Sequence, residues 1–476
     1  MKKLLFATLI ACLALALFLR PLGTNEVAAE ETPLSVALQV AETIENLFFK
    51  GRAFSKIANK YIELGEKDKA LEILSQALDT AQAMQPPHYL LSKVEALGRV
   101  AIMYAEVGEK HKASQILSQA FELTKTIQDP ISKTTELVSI GDKYVQVGDK
   151  NKVRKILSPA LKAAKTIDVP LPQAWLLSDI ALLYAKTGEP EKAAQILSQA
   201  VEIVKTYDKY SCDFRPFNKV LILTEIGYKF AKAGEKDKAS EILSQALEVA
   251  NTLDSPFEKA WALVETAEKY VEAQEKEKAS EILSQALIVA QTIEEPGSKV
   301  NALVEIADKY VQTGEKDRAS VIMSAALQAA QTLEHSDFKA RALVEIAVIY
   351  AEIGQKDKAS ELSSQAIQVV QKIENIKVER LAEIALKCAE AGEYEQALEL
   401  LKAIEDDEKV VALTKIAIKY AEAGEYHKAL EVTRTIEQAS YKVKVLAEIG
   451  FKYAQAGEKV DNRARKILRE IVKDLK

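Results

Sequence analysis

Residues 301–334 read NALVEIADKYVQTGEKDRASVIMSAALQAAQTLE, and the placement of apolar residues in this stretch decides the fold. Leu303, Ile306, Ala307 and Tyr310 fall at i, i+3, i+4 and i+7, which is one face of a helix. Gly314 follows, and glycine can end a helix in the left-handed conformation without a Cβ clash. Glu315 and Asp317 then open a second helix, where the helix dipole favours negative charge. Ala319, Met323, Ala326 and Leu327 supply its apolar stripe. Two amphipathic helices with a tight turn between them form a hairpin, and neither helix can bury its stripe alone.

The same unit recurs along the chain. Its turn residues are Gly65, Gly108, Gly148, Gly188, Gly234, Gly314, Gly354, Gly392, Gly424 and Gly457, with Gln274 standing in once. Their spacings are 43, 40, 40, 46, 40, 40, 40, 38, 32 and 33 residues. Self-similarity at such a period is the mark of a stacked solenoid in which each unit contacts its neighbours. Seven residues before each turn sits Ala or Gly, from Ala58 to Gly450. Four before it sits an aromatic ring, as at Tyr104, Phe230, Tyr310 and Tyr453, with Cys388 the exception. Small residues let paired helices approach, and the ring fills the wedge between adjacent hairpins, so the tyrosine ladder reads as core.

This pattern of small residue, tyrosine, turn glycine, alanine and A-L pair resembles the tetratricopeptide repeat over about residues 50 to 457. The resemblance implies an all-α, right-handed superhelical solenoid of about eleven antiparallel helix hairpins. The usual period is 34, so the 40-residue units imply helices longer by about a turn each. The proline that usually closes the repeat is shifted outward, at Pro130, Pro256 and Pro296, or missing. The chain divides into an array of long repeats at 50–376, an array of short ones at 377–457 and a capping helix at 458–476. Residues 34–48 match the second helix of a unit that lacks its first, so 30–49 is expected to form an amino-terminal lid. Pro159, inside the segment that elsewhere reads LSQAL, is expected to kink its helix. The 46-residue spacing hides an insertion at 207–219 whose Tyr210, Phe214 and Phe217 form either a partner-touching loop or a packed connection.

Residues 1–29 are a separate object. Lys2 and Lys3 precede an apolar run from Leu4 to Leu19, then Arg20 and Val27-Ala28-Ala29, which reads as a secretory signal cleaved after Ala29. The expected location is therefore periplasmic or extracellular. Two other readings are an uncleaved amino-terminal anchor and a lipoprotein bearing its lipid on Cys12. Cys212 and Cys388, four repeats apart, lie beyond disulfide reach in an extended stack.

The remaining chemistry is sparse. Net charge is −6, with no basic footprint for nucleic acid, and Arg463, Arg465, Lys466, Arg469 and Lys473 read as the solvated face of the last helix. His88, His111, His335 and His427 are not paired at ligand spacing, and no phosphate-cradling loop or nucleophile motif occurs, so neither enzyme, metal nor cofactor is expected. Ser-Gln pairs such as Ser118-Gln119 and Ser284-Gln285 read as outward polar positions.

In tetratricopeptide proteins the first helices line a concave groove. Carried over, this marks the residues six, thirteen, ten and three before each turn. The candidates for binding a partner segment are Asn59, Trp175, Leu182, Tyr228, Trp261, Val348, Leu386, Ile418 and Phe451, which together suggest an apolar groove with aromatic rings near its middle. The function expected from this is a non-enzymatic protein–protein interaction scaffold of the cell envelope. The alternative is a glycan- or peptidoglycan-binding envelope factor that stacks sugars on Trp175, Tyr228 and Trp261. Self-association through the end helices is a third reading.

Overall fold

A computed structural model describes residues 31–206, 216–373, 378–402, 404 and 407–474. The signal segment with Cys12, and Tyr210, Cys212 and Phe214 of the insertion, lie outside the described residues.

Among the described residues the secondary structure is 23 helices, with no strand. A short helix α1 (Pro33–Glu42) precedes hairpins 1 to 5: α2/α3 (Leu47–Glu63, Lys67–Ala83), α4/α5 (Leu90–Glu106, Lys110–Thr124), α6/α7 (Pro130–Val147, Lys150–Ala164), α8/α9 (Pro170–Lys186, Pro190–Thr206) and α10/α11 (Pro216–Lys232, Lys236–Asn251). Hairpins 6 to 10 are α12/α13 (Pro256–Glu272, Lys276–Gln291), α14/α15 (Pro296–Thr313, Lys316–Gln331), α16/α17 (Ser336–Glu352, Lys356–Val370), α18/α19 (Val378–Glu390, Tyr394–Leu401) and α20/α21 (Asp407–Glu422, Tyr426–Thr435). The chain ends with α22 (Ala439–Ala456) and α23 (Asn462–Lys473).

The turns work as the glycines require. Gly314 has φ 90°, and the next amide, Glu315 N–H, donates to the Tyr310 carbonyl at 2.7 Å. The same bond recurs at every turn, so the residue in the aromatic slot also closes its helix through its backbone. Gln274 adopts φ 67°, a conformation that strains a residue with a side chain. The outward-shifted prolines have a role of their own: Pro130, Pro256 and Pro296 open first helices, where no amide is needed. α7 continues as a helix through Pro159.

Core positions follow the repeat. Tyr104, Tyr144, Tyr270, Tyr310, Tyr350 and Tyr420 are essentially buried, and Cys388 fills the same slot with its thiol pushed up to about 12 by burial. Two serines of the Ser-Gln pairs, Ser118 and Ser284, join hairpins. The hydroxyls of Ser118 and Tyr144 are 3.0 Å apart, and those of Ser284 and Tyr310 are 3.1 Å apart. They bind the second helix of one hairpin to the first helix of the next.

The solenoid of hairpins expected from the sequence is present, and its two ends meet. Each first helix packs on the next, from α2 round to α22, and α22 packs in turn on α2. α1 lies antiparallel against α22 as the second helix of an eleventh hairpin, and it also packs on α2. The first of the described helices thus completes the last repeat, and the solenoid closes as a ring. α23 lies outside, on α21 and α1, instead of pairing with α22. Arg469 of α23 reaches Glu31 at 2.7 Å, beside Thr32, whose hydroxyl caps α1.

Candidate functional site

The eleven first helices form the inner wall of the ring. Positions ten before the turn, expected to face a groove, are mostly covered by neighbouring hairpins: Ser178, Thr224, Val264 and Ala382 are buried. Positions five and nine before the turn mostly carry charge instead, and several of these charges pair between hairpins.

Lys229, five before its turn, is buried between hairpins 4 and 5. Its Nζ lies 2.7 Å from Asp179, 3.3 Å from Glu225 and 2.8 Å from Ser178 Oγ. Lys269 reaches back to Glu225 in the same way at 3.7 Å, and Lys309 reaches Glu268, six before its turn, at 2.7 Å. Lys60, on the first hairpin, makes the matching bond across the closure, 3.0 Å to Glu448 of α22. The seam therefore repeats the internal contact with residues 388 positions apart, the difference of their numbers.

The expected site residues are distributed round this wall. Asn59 is half-buried, donates to Glu63 and lines a small cleft with Arg99, Ile102 and Lys143. Trp175 and Trp261 are 43% and 44% exposed. The Lys229 ammonium sits 5.2 Å over the Trp175 ring, and Lys232 and Lys269 lie 5.2 and 5.1 Å from the Tyr228 ring. Leu182, Leu386 and Ile418 are half-buried. Phe451 is 9% exposed, under Lys60 at the seam, so it offers no free groove surface. Trp261 and Val348 are the two that meet in one cleft.

That cleft, about 610 Å³, spans α12, α14, α16 and α18. Trp261 stands against Phe217 (5.3 Å) and Phe257 (5.9 Å), and its indole N–H donates to Glu265 at 3.1 Å. Phe217, the one ring of the insertion within the described residues, is thus a packed support for Trp261. Around this aromatic floor stand Glu265, Glu305, Asp308, Glu345, Glu352 and Glu390. Arg341 and Lys387 are the basic side chains of the lining. Arg341 is engaged by Glu345 and Glu383 at 2.9 and 3.0 Å, and Lys387 by Glu390 at 2.9 Å. Lys309 lies 3.6 Å from Glu305 and 3.7 Å from Asp308, and carboxylates still outnumber the bases. Glu305 is raised above the ordinary glutamate value, first by burial, and Glu352 likewise, with Asp308 and Glu390 adding repulsion. Acidic side chains thus join the apolar lining of Val304, Val348 and Ile349.

The seam has the opposite sign. Arg52, Lys56 and Lys444 line a cleft of about 880 Å³ there, beside Glu408, Val411 and Tyr441. Lys56 is lowered from the usual lysine value by burial and then by Lys444. Sequence reasoning missed the charged pairs of the inner wall because it followed the apolar stripe. The signal was the lysine that recurs five before the turn, at Lys60, Lys143, Lys229, Lys269, Lys309, Lys387, Lys419 and Lys452.

Among the described residues no group of three or more His, Cys, Asp or Glu side chains is placed to hold a metal ion, and no helix is long and apolar enough to cross a membrane.

No family model matches the sequence, and no curated protein matches it. Among solved structures, a protein from Thermococcus onnurineus NA1 is similar at 15% identity, over 82% of this chain and 99% of that one, with a TM-score of 0.30. TPR-like repeats from Podosopora anserina are similar at 20% identity, over 44% of this chain and 100% of that one, with a TM-score of 0.31. The apo form of the quorum sensor NprR from B. thuringiensis is similar at 14% identity, over 80% and 98% of the two chains, with a TM-score of 0.29. At such scores none of them bears on what this chain binds. The hairpins themselves, with their turn glycines and tyrosine slots, give this chain a TPR-like repeat fold.

Proposed function

We propose that the protein is a non-enzymatic interaction scaffold that holds a segment of a partner protein against the inner wall of hairpins 6 to 9. The observation that carries this reading is the cleft at Trp261, where a half-exposed indole stands in a ring of carboxylates that outnumber the bases beside them. Such a site complements a cationic segment with an apolar or aromatic side chain: the ring contact supplies affinity, and the charges supply orientation and rate.

The test is direct. In a Trp175→Phe chain, Trp261 is the sole tryptophan of the protein. Its emission should shift on titration with a Lys/Arg-rich peptide, and the affinity should fall as salt is raised. Equal binding of an acidic peptide of matched hydrophobicity would count against the reading.

The glycan-binding alternative draws less support, because sugar stacking needs a free ring face and those of Trp175 and Tyr228 carry lysine cations. We place the protein in the periplasm or outside the cell on the strength of residues 1–29. Deleting residues 2–29 should leave it in the cytoplasm; continued export would refute the signal assignment.

A further inference from the structure

We infer that α1 and α23 are alternative occupants of one docking slot on α22, so that the ring is closed when α1 fills the slot and open when α23 does. This goes beyond partner binding at hairpins 6 to 9 and does not depend on it.

Three observations define the slot. First, Gly450 of α22 lies so close to Leu34 that a Cβ there would fall 2.6 Å from Leu34 Cγ. In hairpin 5, Gly227 and Leu243 stand in the same relation, with a distance of 2.8 Å. The sequences agree in register: Leu34-Ser-Val-Ala-Leu-Gln-Val-Ala41 matches Leu243-Ser-Gln-Ala-Leu-Glu-Val-Ala250. α1 therefore occupies the second-helix position of hairpin 11, yet it has 10 residues against 16 in α11.

Second, the chain leaves α22 as though a second helix were to follow at once. Gly457 is left-handed at φ 66°, and Glu458 N–H donates to the Tyr453 carbonyl at 3.1 Å, the bond found at every other turn. Elsewhere the second helix starts two residues after the turn residue, as at Lys316 after Gly314. Here it is delayed to Asn462, where Asp461 caps it. Third, α23 carries the face of a second helix. Ala464, Ile467, Leu468 and Ile471 are spaced as Ala397, Leu400, Leu401 and Ile404 are in and just after α19. In the closed ring this face is spent on α21 and α1.

The covalent order makes the exchange exclusive. Four residues, 43–46, join α1 to α2, so α1 stays with hairpin 1. When α22 parts from α1 and α2, its slot empties. α23, tethered by residues 457–461, can then fold back into it with Leu468 over Gly450, as Leu243 lies over Gly227. With α23 seated, α1 has no place on α22 and the ring stays open. The ion pair between Lys60 and Glu448 is broken in that state.

The experiment uses the full chain and follows amide hydrogen exchange with small-angle scattering. A Leu34→Asp/Ala37→Asp chain should lose protection at 33–42 by at least about tenfold and scatter with a larger radius of gyration, while 462–473 stays protected. A Gly450→Leu chain should lose protection at both segments, because the filled slot admits neither helix. Hairpins 4 to 8 should keep native protection in both chains, which shows that the array is folded. Loss of protection at 462–473 together with 33–42 in the first chain would overturn the inference. So would full protection of 462–473 in the Gly450→Leu chain, which would place its home on α21 alone.

Discussion

Hairpins 6 to 9 and the seam lie on different sides of the ring and are built from the same parts, yet they differ in what holds them. In hairpins 6 to 9 each interface joins chain neighbours, and the second helix of every hairpin follows its own first helix. At the seam the second helix comes from the other end of the chain, and Lys60 meets Glu448 only because the nine hairpins between them bend through the right angle. The charges differ too: carboxylates are in surplus around Trp261, and Arg52, Lys56 and Lys444 are in surplus at the seam. Local contacts of one kind thus give a rigid stretch in one place and a removable joint in another, according to the length of chain they close.

The comparison can be broken at its strong side first. Tyr310→Ala should cost about 3–5 kcal/mol, because the ring is buried and its hydroxyl meets Ser284. Urea unfolding followed by exchange at hairpins 6 to 8 measures it; an unchanged midpoint would remove tyrosine from the core. At the seam, Glu448→Ala should cost about 2 kcal/mol, since it leaves the largely buried Lys60 ammonium with Glu63 alone. Here the loss should appear as faster exchange at 33–42, with hairpins 6 to 8 unaffected. Uniform destabilisation of the whole array would mean that the seam is an ordinary interface.

The charged walls give a pH test of similar size. Burial raises Glu305 and Glu352 above the ordinary glutamate value, so the folded cleft favours their protonated forms. The folded state binds more protons than the unfolded one between the ordinary and the raised values. These two groups therefore add stability below the ordinary value and withdraw it as pH rises through the raised one. A cationic partner prefers the ionised cleft, so its affinity should fall by up to about tenfold as pH drops through the raised values, with proton uptake on release. Titration calorimetry in two buffers of different ionisation enthalpy reads the proton count; no linkage would exclude these carboxylates from the contact. The smallest effect is expected at Gln274→Gly, which relieves a left-handed residue and should stabilise hairpin 6 by about 1 kcal/mol. An unchanged melting temperature would show that the turn already tolerates glutamine.

Much of the fold was readable from residues. The turn glycines, the small slot seven before them and the ring four before them are set by contacts within one hairpin and its neighbour, and all of them stand where the spacing put them. The inner wall was read less well. Trp261 and Val348 do meet, but the residues ten before the turn are covered, and the charges five and nine before it line the wall instead. That choice depends on how far each hairpin rotates over the last, which a single repeat does not reveal. The segment at 34–48 was recognised as second-helix sequence, and the structure ends that helix at Glu42 and pairs it with α22.

By itself the sequence determined the hairpin, its repetition and the identity of each core slot, because these rest on interactions spanning a few turns of helix. The tertiary structure alone decided that the ends meet. Closure of eleven hairpins needs about 33° of turn at each interface, and small differences summed along the array separate a ring from an open spiral. The choice between α1 and α23 for the slot on α22 belongs to the same level. Both carry a suitable apolar face, and only the accumulated curvature brings the distant one within reach.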